Sequence, residues 1–292
     1  MKPRILVLVK YEKEVDIICE YFSNNGYEAI AIDRHKIFEN QQIAISDDKI
    51  LYYEQDLLEC TAGAIILDSG YMWPQPVVKP TLEKWMLFKN NVDKYFKYER
   101  ETSSLWYSLL EILNDSLPLC INPQEAFEAE SFKPWAFDML DQEGVNIPPI
   151  ISGNDKDAIM NFIDENNGKI LSIPLYDNEK PLWVDTYENG IFHLEEEPVM
   201  LQALSRKETI RIIAVKGKPV YTNPNSVEIS ELADQIPKIQ DSLKIPFAEL
   251  IFRYTDRPVL SDFSASPAIH SLSKKVIQSI MDALLALFKG KA

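Results

Sequence analysis

The sequence predicts an α/β fold in which a small N-terminal α/β lobe precedes a larger lobe of mixed helices and strands. Three observations carry the prediction. Unbroken apolar runs such as Ile5-Leu6-Val7-Leu8-Val9 and Ala64-Ile65-Ile66-Leu67 have the pattern of strands buried on both faces. Between such runs Val15, Ile18, Cys19 and Phe22 share one helical face, as a crossover helix requires. Farther on, the turn signals Glu188-Asn189-Gly190 and Lys216-Gly217-Lys218 give the second half an antiparallel, hairpin character.

Taken in order, Arg4–Val9 is the first strand, 12–22 the first helix, Gly26 its stop, and 27–32 the next strand. A short strand pair is expected at 43–45 and 50–53, and a buried strand at 62–68. Prolines 74 and 76 then punctuate a loop. A long helical stretch, 84–113, offers Tyr95, Phe96, Leu105, Trp106, Leu109 and Leu113 for packing. A short strand ends at Asn122-Pro123 and marks a lobe boundary near 117/118. A helix over 124–142 is stopped by Gly144, and prolines hold 145–150 extended. Asn154 is placed to cap a helix over 155–165. Strands are expected at 180–184, 191–194, 199–204, 209–215 and 219–221, a helix at 230–243, a strand pair at 247–254 and 257–261, and a final helix at 268–288.

Composition narrows the function. The 292 residues carry 30 Lys+Arg against 45 Asp+Glu, a formal charge of −15, so a phosphate backbone or an anionic membrane would repel the chain. Nucleic acid and membrane are therefore excluded as partners. Hydrophobic residues at 46% support a sizeable core, and the length suggests more than one lobe. Only 9 Gly stand beside 18 Pro, which argues against many phosphate-cradling loops. Cys19, Cys60 and Cys120 form no CxxC pair, which favours neither disulfides nor zinc and points to a cytoplasmic location. The apolar run after Met1 closes at Lys10, too short for a signal peptide, and no run reaches the roughly 20 residues of a membrane helix.

No GxSxG, HExxH, GxGxxG or GxxxxGK[ST] motif is present. His35, His193 and His270 are isolated, and Glu195-Glu196-Glu197 alternates faces as a solvated loop does.

The order of elements is more telling. Arg100-Glu101 ahead of Leu109–Leu113, with Trp85 before them, is one local signature; Asn122-Pro123, Ser131-Phe132-Lys133, Leu140 and Gly144-Val145-Asn146-Ile147-Pro148-Pro149 follow. Downstream come Pro198–Gln202, Glu208–Val215 around Arg211, and Val259–Pro267. Together these resemble the ATP-grasp ligases, most nearly the branch that forms ester or amide crosslinks in ribosomally made peptides, such as the microviridin maturases. The resemblance implies an N-terminal pre-ATP-grasp domain over 1–117 and an ATP-grasp domain over 118–292, divided into a smaller part, 118–198, and a larger one, 199–292. It implies ATP and Mg2+ as cofactors, a carboxylate-bearing peptide as substrate, and pairing as a homodimer or with a related ligase. Carried over position by position, Lys133 and Gln202 meet the nucleotide, Arg211 faces phosphoryl transfer, and Asp262, Ser264 and Glu249 hold the metal.

The chemistry needs cations for a triphosphate and oxygen ligands for magnesium. Against that demand the sequence departs from the pattern in four places. Ile173 stands where a second phosphate lysine is expected, with Lys169 and Lys180 nearby. The loop Tyr176–Pro181 has no glycine and carries Asp177 and Glu179. Asp262 and Ser264 replace a Glu-x-Asn pair, and the upstream metal carboxylate has only Glu249 to match it. Two classes follow: an ATP-dependent ligase, or a catalytically inactive ATP-grasp scaffold that binds a peptide or an active partner.

Overall fold

The structure is a computed structural model. It describes residues 2–9, 12–33, 43–46, 49–53, 55–67, 89, 91–167, 169–173, 182–184, 198–204, 209–223, 230, 232–254 and 256–290. The described residues form seven helices and four sheets, the mixed α/β class expected. No helix among them is long and apolar enough to cross a membrane. The expected strand at 191–194, the turn at 188–190, the loops 71–76, 176–181 and 195–197, and His35 and His193 lie outside the described residues.

Two compact units divide the chain, one made of Met1–Phe127 with Ala268–Ala292, the other of Glu128–Pro267. The change of unit thus falls ten residues beyond the expected 117/118 boundary, and the last 25 residues group with the N-terminal strands by packing.

In the first unit, β1 (Arg4–Val9), β2 (Glu28–Asp33), β6 (Thr61–Leu67) and β7 (Cys120–Ile121) make a parallel sheet in the order β2-β1-β6-β7. The continuous apolar runs require this, since a parallel strand is covered on both faces. Helix α1 (Glu12–Asn24) is the crossover from β1 to β2. A small antiparallel sheet follows: β3 (Ile43–Ser46), β4 (Lys49–Tyr52) and β5 (Gln55–Asp56). Helix α2 (Val92–Ser116) starts at Asn91, whose side chain accepts from the Lys94 amide. It buries Trp106, Leu109, Leu110 and Leu113, whereas Phe96 and Leu105, expected to pack, stay exposed because they fall off that stripe.

The last helix, α7 (Lys274–Lys289), is capped by Ser273 and is shorter at its start than expected, since Pro267 and the turn after it precede the cap. Its Phe288 meets Phe22 edge to face at 5.4 Å and Tyr27 at 6.3 Å, which is why the C-terminal segment belongs with this unit.

Helix α3 (Gln124–Ser131) spans the change of unit, half of it on either side, and α4 (Lys133–Gln142) follows in the second unit. One helix was expected over 124–142; it breaks at Phe132 because Pro134 has no N–H to continue the i→i−4 ladder and is instead accommodated in the first turn of a new helix. Gly144, at φ +75°, ends α4, its amide donating to Asp141 O and that of Val145 to Leu140 O. Helix α5 (Lys156–Glu165) is capped by Asp155 rather than Asn154: the Asp155 carboxylate is one residue nearer and accepts from the Ala158 amide at 3.1 Å.

An antiparallel sheet joins β8 (Ile150–Gly153), β9 (Ile170–Ile173), β10 (Leu182–Val184) and β11 (Val199–Ala203) in the order β10-β9-β11-β8. One face buries Ile170, Val184 and Leu201 against Ile159 and Ile163 of α5. A second antiparallel sheet joins β12 (Thr209–Val215), β13 (Lys218–Asn223), β14 (Phe247–Tyr254) and β15 (Pro258–Ser264) in the order β13-β12-β14-β15. Its apolar face buries Ile210, Ile212, Leu250, Phe252 and Phe263, with Phe263 against Phe137 of α4 at 5.7 Å. Helix α6 (Gln235–Ser242), shorter than the expected 230–243, lies beside α4. Its buried Gln240 donates to Ala214 O and Ile245 O and accepts from the Gly217 amide.

Gly63 in β6 has a steric reason to lack a side chain: a Cβ there would meet Leu119 O at 2.2 Å and Phe288 Cε1 at 3.0 Å. Gly63→Ala is expected to lower the unfolding free energy by about 1–3 kcal/mol in a urea titration, because the obstructing atom is backbone.

Candidate functional site

The second sheet of the Glu128–Pro267 unit has two faces of opposite character, and its register decides which residues meet. Arg211 on β12 lies across from Ile251 on β14, which lies across from Asp262 on β15. One step along, Ile213, Glu249 and Ser264 form the adjacent row. Since partners in register and alternate residues share a face, Arg211, Glu249, Asp262 and Ser264 all project from the side opposite the apolar core.

These side chains pair. The Arg211 guanidinium donates from Nε to Glu249 Oε1 at 2.6 Å and from Nη2 to Oε2 at 2.8 Å, a bidentate fork across neighbouring strands. The hydrogen bonds it donates to Glu249 hold Arg211 above the ordinary arginine pKa, against the opposing effect of burial. Lys133, the first residue of α4, donates from Nζ to Asp262 Oδ1 at 2.8 Å. A lysine in a first helical turn opposes the helix dipole, and Asp262 compensates for that placement. Asp262 Oδ1 also accepts from the Phe263 amide at 2.9 Å, which fixes the carboxylate, and Ser264 Oγ accepts from the Ser266 amide at 3.0 Å. Glu130 of α3 accepts from the Ala265 amide and holds the end of β15.

Gln202 lies in the other sheet. On β11 it faces Ile150 of β8 and Leu171 of β9, and Leu171 in turn faces Trp183 of β10. This is the face away from α5. Gln202 is fully buried, and both its Nε2 and its Oε1 lack a hydrogen-bond partner among the described residues. A buried amide with neither end satisfied costs roughly 1–3 kcal/mol per group, and buried polar groups in folded proteins are rarely left in that state. Ile173 is on the same face, buried, across from Met200.

The extended segment after α4 ties both sheets together: Leu260 of β15 donates to Asn146 O at 2.8 Å, and Ala203 of β11 donates to Pro149 O at 2.9 Å. Arg253 of β14 makes a second link, its guanidinium carbon 5.2 Å from the centre of a Trp183 ring.

Of the six residues singled out by sequence, the structure joins four into two ion pairs, Lys133 with Asp262 and Arg211 with Glu249, and places Ser264 across from Glu249. Gln202 stands apart from them on the other sheet. Sequence reasoning missed Arg253. Its only signal was its position four residues after Glu249, on the same face of the same strand. Burial lowers its pKa, opposed by Asp262. Among the described residues no group of three or more His, Cys, Asp or Glu is arranged to hold a metal ion by protein ligands alone. His270 is engaged by Glu14 in the other unit. Burial pushes the Cys19 thiol up to about 11 and that of Cys120 up to about 12, which disfavours thiolate chemistry at either.

No protein-family model matches the chain, and no curated protein matches it in sequence. Solved structures do match. The ATP-grasp ligase PsnB, complexed with a phosphomimetic variant of its minimal precursor, Mg and ADP, superposes with a TM-score of 0.81 at 16% identity, covering 97% of this chain and 98% of that one. The macrocyclase MdnC of Microcystis aeruginosa MRC, bound with precursor peptide MdnA, gives 0.73 at 12% identity over 97% and 98%. A RiPP-associated ATP-grasp ligase of Chryseobacterium gregarium, in complex with ADP and a leader and core peptide, gives 0.69 at 14% identity over 99% and 97%. The chain has the ATP-grasp fold, and the structures it resembles are peptide-modifying ligases.

Glu249→Gln keeps the shape of the fork but removes the carboxylate charge beside a partly buried guanidinium. It is expected to destabilise the protein by about 1–3 kcal/mol in urea unfolding. The double change Arg211→Met with Glu249→Leu is expected to lose less than the single one, because no charge is then stranded.

Proposed function

We propose that the chain is an ATP- and magnesium-dependent ligase that activates a carboxylate of a ribosomally made peptide and passes it to an amine or hydroxyl. The observation that supports this reading most is the gathering of Arg211, Glu249 and Asp262 on one sheet face with Lys133 reaching Asp262 from α4, together with Gln202 on the other sheet of the unit, a buried amide with no hydrogen-bond partner among the described residues. In this reading Gln202 pairs with the edge of adenine, to which an amide offers both a donor and an acceptor. Lys133 and Arg211 turn from their carboxylates to the phosphates. The two ion pairs then act as a resting state that keeps four charges compensated until nucleotide enters.

Magnesium fits the donor set. Asp262, Glu249 and Ser264 offer oxygen ligands only, and magnesium is ordinarily held by one or two carboxylates together with substrate phosphates rather than by an all-protein cage. Bound with nucleotide, it would draw negative charge from the phosphate oxygens. The residues of the chain do the rest: Gln202 orients the base, and Lys133 and Arg211 hold the γ-phosphate in line with the incoming carboxylate. A carboxylate oxygen bonds to the γ-phosphorus as the bond to the β-phosphate oxygen breaks and ADP leaves. The amine or hydroxyl then adds at the acyl carbon, inorganic phosphate departs, and the nucleophile's proton passes to solvent. The peptide substrate is supported by the precursor peptides bound in the similar structures, and pairing with a second ligase chain is part of the same proposal.

Ile173 favours a second reading. A buried isoleucine where a phosphate lysine is expected removes one cation, as in a scaffold that binds peptide or an active partner without turnover.

Melting curves and ADP release separate the two. At a hundredfold excess over Kd, Mg-ATP is expected to stabilise the protein by about 2.7 kcal/mol, seen as a raised Tm. Lys133→Ala is expected to abolish the rise, and acidic candidate peptides are expected to trigger ADP release. No shift and no ADP would sink the ligase reading; a shift without ADP, whatever peptide is offered, would favour the scaffold.

A further inference from the structure

We infer that Arg253 is a phosphate-binding residue of this nucleotide site, supplying from β14 the positive charge that Ile173 does not supply from β9. The inference rests on the ATP reading above.

Three observations carry it. The first is position. Arg253 lies four residues beyond Glu249 and shares its face of the sheet, the face that also bears Arg211 and Asp262. Its guanidinium rests over Trp183, and Trp183, Leu171 and Gln202 face one another across β10, β9 and β11. That row spans about 10 Å from first to last, twice the usual strand spacing. A base whose edge meets Gln202 therefore puts its sugar and first phosphates within reach of the guanidinium. Ile173 is two residues from Leu171 on the same face, so Arg253 occupies the neighbourhood in which the lysine is missing.

The second observation is pairing. Lys133 and Arg211 each hold a carboxylate at hydrogen-bond distance. Arg253 Nε is buried and has no hydrogen-bond partner among the described residues. The indole steadies the charge without accepting N–H groups in conventional hydrogen bonds, so the Nε donor remains for an oxyanion. The third is cost. Burial works against the charged form of Arg253, and an oxyanion that accepts from Nε relieves both the desolvation and the unmade hydrogen bond. A phosphate matches the planar fork of a guanidinium in a way a lysine cannot, so the substitution of site also changes the geometry of recognition.

Calorimetric titration of the full chain with Mg-ADP and with adenosine tests this. Arg253→Gln is expected to weaken Mg-ADP by about 10- to 100-fold, the size of one charged hydrogen-bond contact, while adenosine affinity stays within about 2-fold. Arg253→Lys is expected to recover part of the loss, and it carries the same test should the glutamine variant fail to fold. Unchanged Mg-ADP affinity would overturn the inference. So would a parallel loss for adenosine, which would make Arg253 a prop for Trp183, or a loss confined to an acidic peptide. If the unaltered protein binds neither Mg-ATP nor Mg-ADP, the ATP reading falls and takes this inference with it; if it binds them and Arg253→Gln binds equally well, only the inference falls.

Discussion

The register of β14 between β12 and β15 is the constraint on which the rest of the second unit depends. Side chains alternate along a strand with a period of two, so the same pairing that sends Leu250 and Phe252 into the core sends Glu249, Ile251 and Arg253 to the opposite face. A slip of one residue would bury two charged groups and expose two large apolar ones. The burial of apolar surface on one side thus holds the charged residues in place on the other, and the contact of Phe263 with Phe137 also anchors the helix that carries Lys133. Site geometry is a by-product of core packing, which is why four chemically useful groups from distant points of the chain converge without a local motif.

Electrostatics then decides how that face behaves. In a chain with formal charge −15, cations readily find carboxylates, and here one sheet supplies both: Glu249 for Arg211 and Asp262 for Lys133 of α4. Such pairs limit the cost of bringing charge out of water, but they also compete with any anionic ligand. Nucleotide affinity in the proposed function is accordingly a difference between two sets of contacts, phosphate with cation and metal with carboxylate against cation with carboxylate. Gln202 and Arg253 differ from the ion-paired residues, since among the described residues the amide and Nε have no hydrogen bond to exchange.

Much of the fold was legible in the sequence, because its signals are local. The runs at β1 and β6, the crossover periodicity of α1, the Lys216-Gly217 turn and the stop at Gly144 each depend on neighbouring residues alone. The misplaced details were those in which nearby alternatives compete: Asp155 over Asn154 as a cap, a break at Phe132 set by Pro134, and the outward-facing Phe96 and Leu105 on a helix whose buried stripe is chosen by its neighbours. The site was legible as a set of residues, Lys133, Gln202, Arg211, Glu249, Asp262 and Ser264, but not as partners. Arg253 was invisible, since an arginine on a strand of mixed pattern has no meaning until Trp183, seventy residues earlier in the chain, is brought against it.

By itself the sequence determined the α/β class, the order of elements and the chemical character of the residues available, because apolar periodicity and turn chemistry act over a few residues at a time. Only the tertiary structure decided that the last helix packs with the first strands, that the two cations and two carboxylates of the site neutralise each other in pairs, and that Gln202 and Arg253 keep hydrogen-bonding groups unmet among the described residues. The physical reason is that pairing and burial depend on distances across strands and between sheets, which are set by the packing of the whole unit and leave no trace in local spacing.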